Sequence, residues 1–320
     1  MKLEEGARFV GVYASFPVQQ DKRRVQILKS FLGLEDELSL KRIRYGPIRG
    51  KLSTVSFNKE KLGVAIDSIE RGDSDFLQLF PYKVGEDWVR EYETSIHLDW
   101  ESSIVRPIDR PRSPVEERFG DAGSIRVGYP QSRFLADSES SFQKRLLGLM
   151  RKLWAESKLH WAFIHQGFHQ LRPYSVGQDD VFRVTRDGFP ITSFDQNLAT
   201  ARSLYKEYVG GAFWANFLNP FHVARLGGVE KILQERPCEI IEHLGKEEVL
   251  LQVAISPITN ETVRSIQNYQ RLRRFLAPIL METGEDMIRI QKEILGSWTP
   301  PADAARKWQG DLAIIRKQYP

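Results

Sequence analysis

Histidine is the residue type in this chain best suited to metal or proton chemistry, and three of its six copies lie close together, at His160, His165 and His169. His165 and His169 stand four apart, a spacing that on a helix would aim two imidazoles at one metal ion. Residues 159–168 have the composition of a strand instead, Gly167 lies between the two histidines, and no glutamate holds the second position that a zinc protease needs. Ordinary hydrogen-bonded histidines are therefore the preferred reading. Asp179, Asp180, Asp187 and Asp195 could supply oxygen ligands or paired carboxylates, but their spacing fits no metal loop and the residues around them are turn formers. His97, Asp99 and Glu101 alternate along IHLDWES and would share one face of a strand, as a small active site or as the wet side of an amphipathic strand. No strained serine or cysteine nucleophile, phosphate-binding loop or dinucleotide fingerprint accompanies them. The expectation is no catalytic residue, no metal and no cofactor.

Charge offers a different chemistry. Lys41, Arg42, Arg44, Arg49 and Lys51 fall within eleven residues that contain no acidic side chain, with Tyr45 among them. On a hairpin they would present a concentrated positive surface for phosphates or for a carboxylate-rich protein face. A charged edge that deters strand-to-strand aggregation is the competing explanation. Arg106, Arg110 and Arg112 form a weaker candidate, offset by Asp109, Glu116 and Glu117.

The elements that would position these groups follow from periodicity. Residues 8–16 read as an apolar strand ended by Pro17. Residues 18–34 read as an amphipathic helix, 40–44 and 52–57 as two strands, 59–70 as a second helix and 76–82 as a further strand. The order β-α-β-β-α-β is that of a ferredoxin-like unit. Three prolines in residues 106–114 suggest a linker. A second cycle follows, with a strand at 125–129, helices at 140–157, 197–208 and 219–234, a strand at 159–165 and a hairpin formed by 239–243 and 249–255. A helix capped by Asn260 comes next. The expected class is α+β, with antiparallel sheets covered by helices and two ferredoxin-like halves considered. The expected division is 1–105, 115–280 and a helical extension at 281–320.

Residues 210–228, GGAFWANFLNPFHVARLGG, read as a backbone device: paired glycines at each end and Pro220 in between, with Phe213, Trp214, Phe217, Leu218, Phe221 and Val223 assigned to the interior. A corner in which one helix breaks and another begins is expected, with Gly211, Trp214, Phe217, Pro220, Gly227 and Gly228 as its structural signature. The run WANFLNPFHVARLGGVEKI, followed by CEIIEHL, EEVLLQVAISP and a segment ending YQRLRRFLAPIL, resembles the C-terminal part of the bacterial type VI immunity domain family. The resemblance is strongest over residues 210–280. It implies a protein that neutralises a toxin delivered by type VI secretion, and it carries no catalytic motif.

Composition sets the outer limits. At 320 residues, 41% of them hydrophobic, the chain can bury a sizeable core. Its net charge of +4 is spread among charges of both signs, which makes nucleic acid an unlikely partner and is the wrong sign for a protein that imitates DNA. Cys238 is the lone cysteine, so an internal disulfide is impossible and a reducing compartment fits. MKLEEGARFVGVYASF lacks the basic start of a signal peptide, and no apolar run approaches membrane-span length. The expected setting is cytoplasmic, with a cognate toxin as partner, no membrane, and homodimer formation left open.

Overall fold

The computed structural model describes residues 8–17, 23–34, 40–47, 50–80, 95–100, 118, 122–130, 141–168, 202–255, 263–281, 289–290 and 292–294. Ten strands form one sheet: β1 (Arg8–Pro17), β2 (Arg42–Gly46), β3 (Ser53–Ser56), β4 (Phe76–Phe80), β5 (Ser95–Trp100), β6 (Ala122–Pro130), β7 (Trp161–Phe168), β8 (Ala215–Leu218), β9 (Ile240–Gly245) and β10 (Glu248–Gln252). Their order is β3-β2-β4-β5-β6-β1-β7-β8-β10-β9, and every neighbouring pair is antiparallel. A four-residue ladder between β7 and β8 joins a seven-stranded part to a three-stranded part.

The class expected from the sequence, α+β with antiparallel pairing, is what the chain adopts. The ferredoxin-like halves are not. In that arrangement β1 would pair within the first four strands, whereas here it lies between β6 and β7. The reason is its composition: Val10, Val12, Tyr13, Ala14 and Phe16 are all buried, so both faces of the strand need cover and only a central position supplies it. The sheet is continuous across residues 105–115, and the proline-rich segment itself lies outside the described residues.

Three helices pack on one face: α1 (Arg23–Leu32), α2 (Lys59–Arg71) and α3 (Ser141–Ser157). Helix α2 starts where the Asn58 side chain accepts the Lys61 backbone N–H at 2.7 Å, the usual way to satisfy an orphan donor of the first turn. Helix α3 lays Phe142, Leu146, Met150, Leu153 and Trp154 into the core at helical spacing, with Phe142 against Tyr129 and Trp154 against Phe217.

The opposite face is roofed over its C-terminal part. A 3-10 turn, Arg202–Lys206, stands where a helix over 197–208 is expected, and it sets Tyr205 against Tyr13 and Trp161. Phe213 stacks on Phe163 with ring centroids 3.8 Å apart. Aromatic pairs of this kind add about 0.5–1.5 kcal/mol each beyond area burial. Further helices are α4 (Pro220–Arg225), α5 (Val229–Glu235) and α6 (Val263–Leu276), the last followed by a 3-10 turn, Ala277–Ile279. The single helix expected over 219–234 is divided between α4 and α5 by Gly227 and Gly228, whose φ values of +94° and +91° interrupt helical backbone and are open to glycine at little cost.

Residues 210–228 thus hold a strand, one short helix and the glycine break that precedes α5, in place of the expected corner with a helix before Pro220. β8 escapes notice because all four of its residues are buried, which removes the alternation that marks a strand. Phe221, expected inside, is 51% exposed, with Lys206 over its ring at 5.4 Å. Of the C-terminal extension, residues 289–290 and 292–294 are described as helical.

Candidate partner-binding surface

The basic segment forms the hairpin that its sequence predicts. β2 pairs with β3 on one side and β4 on the other, and the turn is closed by the Gly50 N–H donating to the Pro47 carbonyl at 2.9 Å. Alternation decides which side chains face out: Ile43 is fully buried and Tyr45 half-buried on the helical side, while Arg42 and Arg44 occupy the other face. Arg44, Lys41 and Lys51 are exposed and Arg42 is half-buried. Arg42 and Arg44 sit about 7 Å apart along the strand, at the usual rise. Arg49 lies outside the described residues. β3 is an edge strand with Ser53, Thr54 and Ser56 exposed, and Lys61 donates from Nζ to Ser56 Oγ at 2.8 Å. Four of the five predicted residues therefore gather on one hairpin at one end of the sheet.

The other candidates separate. His97 and Asp99 are placed on β5, at positions paired with Gln78 and Phe76 of β4, while Glu101 lies outside the described residues. So do His169, the four aspartates between 179 and 195, and the arginines of the proline-rich segment. His165 is a buried structural group: its Nδ1 accepts the Trp214 backbone N–H at 3.2 Å, and its ring meets the edge of Tyr269. Among the described residues no group of three His, Cys, Asp or Glu side chains is placed to hold a metal ion. Burial pushes the Cys238 thiol up to about 12, and its Sγ donates to the Ile240 carbonyl at 3.2 Å, so it is a poor nucleophile at neutral pH.

The signature residues build an interior knot. Asn219 caps α4: its Oδ1 accepts the His222 N–H at 3.0 Å, while His222 Nδ1 accepts the Asn219 N–H at 3.3 Å, a reciprocal capping box with histidine in the usual glutamate place. The Asn219 amide also donates to the His160 and Lys206 carbonyls, at 2.6 and 2.9 Å. His222 Nε2–H donates to the Tyr208 carbonyl at 3.1 Å, which fixes the neutral tautomer. Burial drives the His222 imidazole down to about 3, with His160 close by adding to the effect. His160 is lowered to about 4, first by burial and then by the Lys206 charge.

Pro220 occupies the first turn of α4, where its missing N–H costs nothing. Trp214 donates from Nε1 to the Ala254 carbonyl at 2.7 Å, and Phe217 is fully buried. Gly211 lies so close to Phe213 that a Cβ there would come within 2.7 Å of the ring. Arg225, the lone charge of the signature, makes two bonds to Glu293, at 2.8 and 3.0 Å, and covers the Tyr208 ring at 4.7 Å. Arg118 reaches Glu207 at 2.7 Å beside it. The capping role of His222 was legible in principle as the third residue after Asn219; sequence reading passed over it because histidine is an uncommon partner in that motif.

Residues 167–309 match the sequence profile of the TsiV family, described as type VI immunity for VRR-NUC. That segment contains the knot, β8 to β10 and α6. Among solved structures the chain is similar to the Pseudomonas aeruginosa T6SS protein PA0821, with a TM-score of 0.60 and 15% identity over 87% of this chain and 75% of that one. At that identity the likeness is one of fold. No protein with a curated description matches the chain.

Proposed function

We infer that this chain is a type VI immunity protein, one that neutralises a cognate VRR-NUC toxin by binding it stoichiometrically, with no chemistry of its own. The observation that carries the reading is the match of residues 167–309 to the TsiV profile. The structure agrees in kind: the conspicuous residues of that segment are spent on packing and capping, which a preformed binding surface requires. Immunity of this sort rests on an interface of about 1,600 Å² anchored by a few arginine and aromatic side chains.

The contact is assigned to the β2–β3 hairpin, through Lys41, Arg42, Arg44, Lys51 and the intervening Arg49. Positive charge speeds encounter with an acidic partner and does not imitate nucleic acid. No helix among the described residues is long and apolar enough to cross a membrane; a cytoplasmic setting, with the toxin intercepted there, is part of the proposal. Residues 1–105 and 115–280 act as two halves that share one sheet. If a homodimer forms, its natural seam is an edge strand of the sheet that the described residues form, β3 or β9.

Co-expression with a VRR-NUC toxin, taken from the neighbouring gene if one is encoded there, tests the reading. Protection of the host cell, with a 1:1 complex in size-exclusion chromatography, is expected. Growth arrest despite abundant soluble protein, with no complex at micromolar concentration, sinks it. A second reading, in which the hairpin binds nucleic-acid phosphates, rests on the same arginines and predicts binding that weakens steeply with salt.

A further inference from the structure

Helices α4, α5 and α6 do not close on one another. Between them lies a cleft of about 310 Å³, the space of about ten water molecules. Arg225, Lys231 and Arg274 bring positive charge to its walls, Leu226 and Phe275 bring apolar surface, and Glu235 is the one carboxylate among the described residues that line it. Ala224, Gly227, Lys231 and Arg274 are all exposed, so the mouth opens to solvent. Phe221 stands beside that mouth: it precedes Arg225 by four residues on α4, which sets both on one side of the helix, and its ring is exposed. Gly227 lets the Lys231 stem lie close against the backbone, since a Cβ there would come within 2.6 Å of Lys231 Cδ.

The cations differ in what already holds them. Arg225 is committed to Glu293 by its two bonds. Lys231 meets Glu235 at 3.7 Å in an exposed pair, a contact weak enough for another carboxylate to replace. Arg274 donates from Nε to the Gln270 carbonyl of its own helix at 3.3 Å and forms no ion pair among the described residues. Two exchangeable cations thus stand beside an exposed aromatic ring, and arginine with aromatic side chains is the composition of an interface anchor.

We propose that this cleft is a second contact for the toxin, and that it takes a segment in which an acidic side chain stands next to an apolar one. The carboxylate is held by Arg274 and Lys231, and the apolar group lies against Phe221 and Phe275. The proposal rests on the immunity reading and deepens it. The match that carries that reading covers residues 167–309, which include the cleft and exclude the β2–β3 hairpin. Six inter-strand spacings, about 29 Å, separate β2 from β8, against which α4 packs, so the cleft is a separate contact and not an extension of the hairpin. Its chemistry selects a protein over nucleic acid: a phosphate track running past these cations would meet Glu235 and Glu293 as well. Its size, at the small end of the range of about 300–1,000 Å³ for ligand sites, suits one or two side chains.

The test uses the full chain and a purified, catalytically inactive VRR-NUC toxin, the neighbouring gene's if one is encoded there, with affinity read by biolayer interferometry at low and high salt. Arg274→Glu and Phe221→Ser should each weaken binding at least about tenfold, and the loss at Arg274 should shrink as salt rises. Lys152→Glu, exposed on α3, should leave affinity within about twofold. Thermal unfolding of each variant checks its fold, and Lys231→Gln replaces Arg274→Glu if that variant unfolds. Wild-type affinity in the cleft variants, with binding weakened by Arg44→Glu, leaves the hairpin as the contact and overturns the proposal while the immunity reading stands. Loss at Phe221 with none at Arg274 or Lys231 overturns it too, because the ligand then lacks its carboxylate. A wild-type chain that neither binds the toxin nor protects cells overturns both. Sub-micromolar retention of a DNA duplex of about 30 base pairs, abolished by Arg274→Glu and not displaced by the toxin, would give the cleft to phosphate and overturn the proposal.

Discussion

Mild acid should destabilise this protein well before its carboxylates titrate. His160 and His222 titrate at about 4 and about 3 in the folded chain, against an ordinary value of 6.5. Both are lowered by the fold, so the stability they protect is complete above pH 6.5 and is lost as the pH falls below it, when the unfolded chain takes up protons that the folded chain refuses. At pH 6.5 the combined loss is under about 1 kcal/mol; at pH 5 each histidine contributes about 2 kcal/mol, or about 4 kcal/mol together. That is a large share of a typical total of about 5–15 kcal/mol. The geometry explains the refusal: His222 Nδ1 accepts the Asn219 N–H, so a proton there would set two donors against each other. Glu293 is held below its usual range by Arg225, so its contribution disappears only near and below about pH 4.5, outside this window. Urea unfolding followed by tryptophan fluorescence at pH 8, 6.5 and 5 measures the effect. His222→Gln keeps an acceptor at the capping position and should reduce the fall between pH 8 and 5 from about 4 to about 2 kcal/mol. A wild-type midpoint that stays level over this range, or a His222→Gln variant with the full wild-type slope, would refute the reasoning.

Four further outcomes are expected. Glu293→Gln should lower stability by about 1 kcal/mol, less in high salt, because the Arg225 pair is only partly screened from solvent; thermal scans at two ionic strengths check this. Gly211→Ala, which drives a Cβ into the buried Phe213 ring, should cost about 1–3 kcal/mol and disturb near-ultraviolet circular dichroism. Gly227→Ala should cost about 1–2 kcal/mol through its φ of +94° alone, since the Lys231 side chain in its way can move. A chain of residues 115–320 lacks β1, which joins β6 to β7, and should fail to give a cooperative unfolding transition.

Local elements were legible in the sequence, and long-range neighbours were not. The strand expected at 40–44 and the helix expected at 59–70 correspond to β2 and α2, because periodicity is written within a few residues. β1 showed an apolar run but nothing that names β6 and β7 as its partners, so a nearby and familiar topology was preferred. The candidate surface divided in the same way. The charges of the hairpin lie within eleven residues and could be read directly, whereas Gln78 becomes a neighbour of Arg44 only through the pairing of β4 with β2. Phe221 was misplaced because its position among buried residues resembles theirs; only the rotation of a six-residue helix turns it outward.

The central placement of β1 also sets a clock on synthesis. Its partner strands leave the ribosome as much as about 150 residues later, which at about 5–20 residues per second is roughly 8–30 s. Until β6 and then β7 emerge, one of the most apolar strands of the molecule lacks its neighbours, and such late, distant pairing is of the kind that slows folding. A partly made chain therefore cannot close its sheet until β7 is complete, and both neighbours of β1 exist only once about half of the chain has been made.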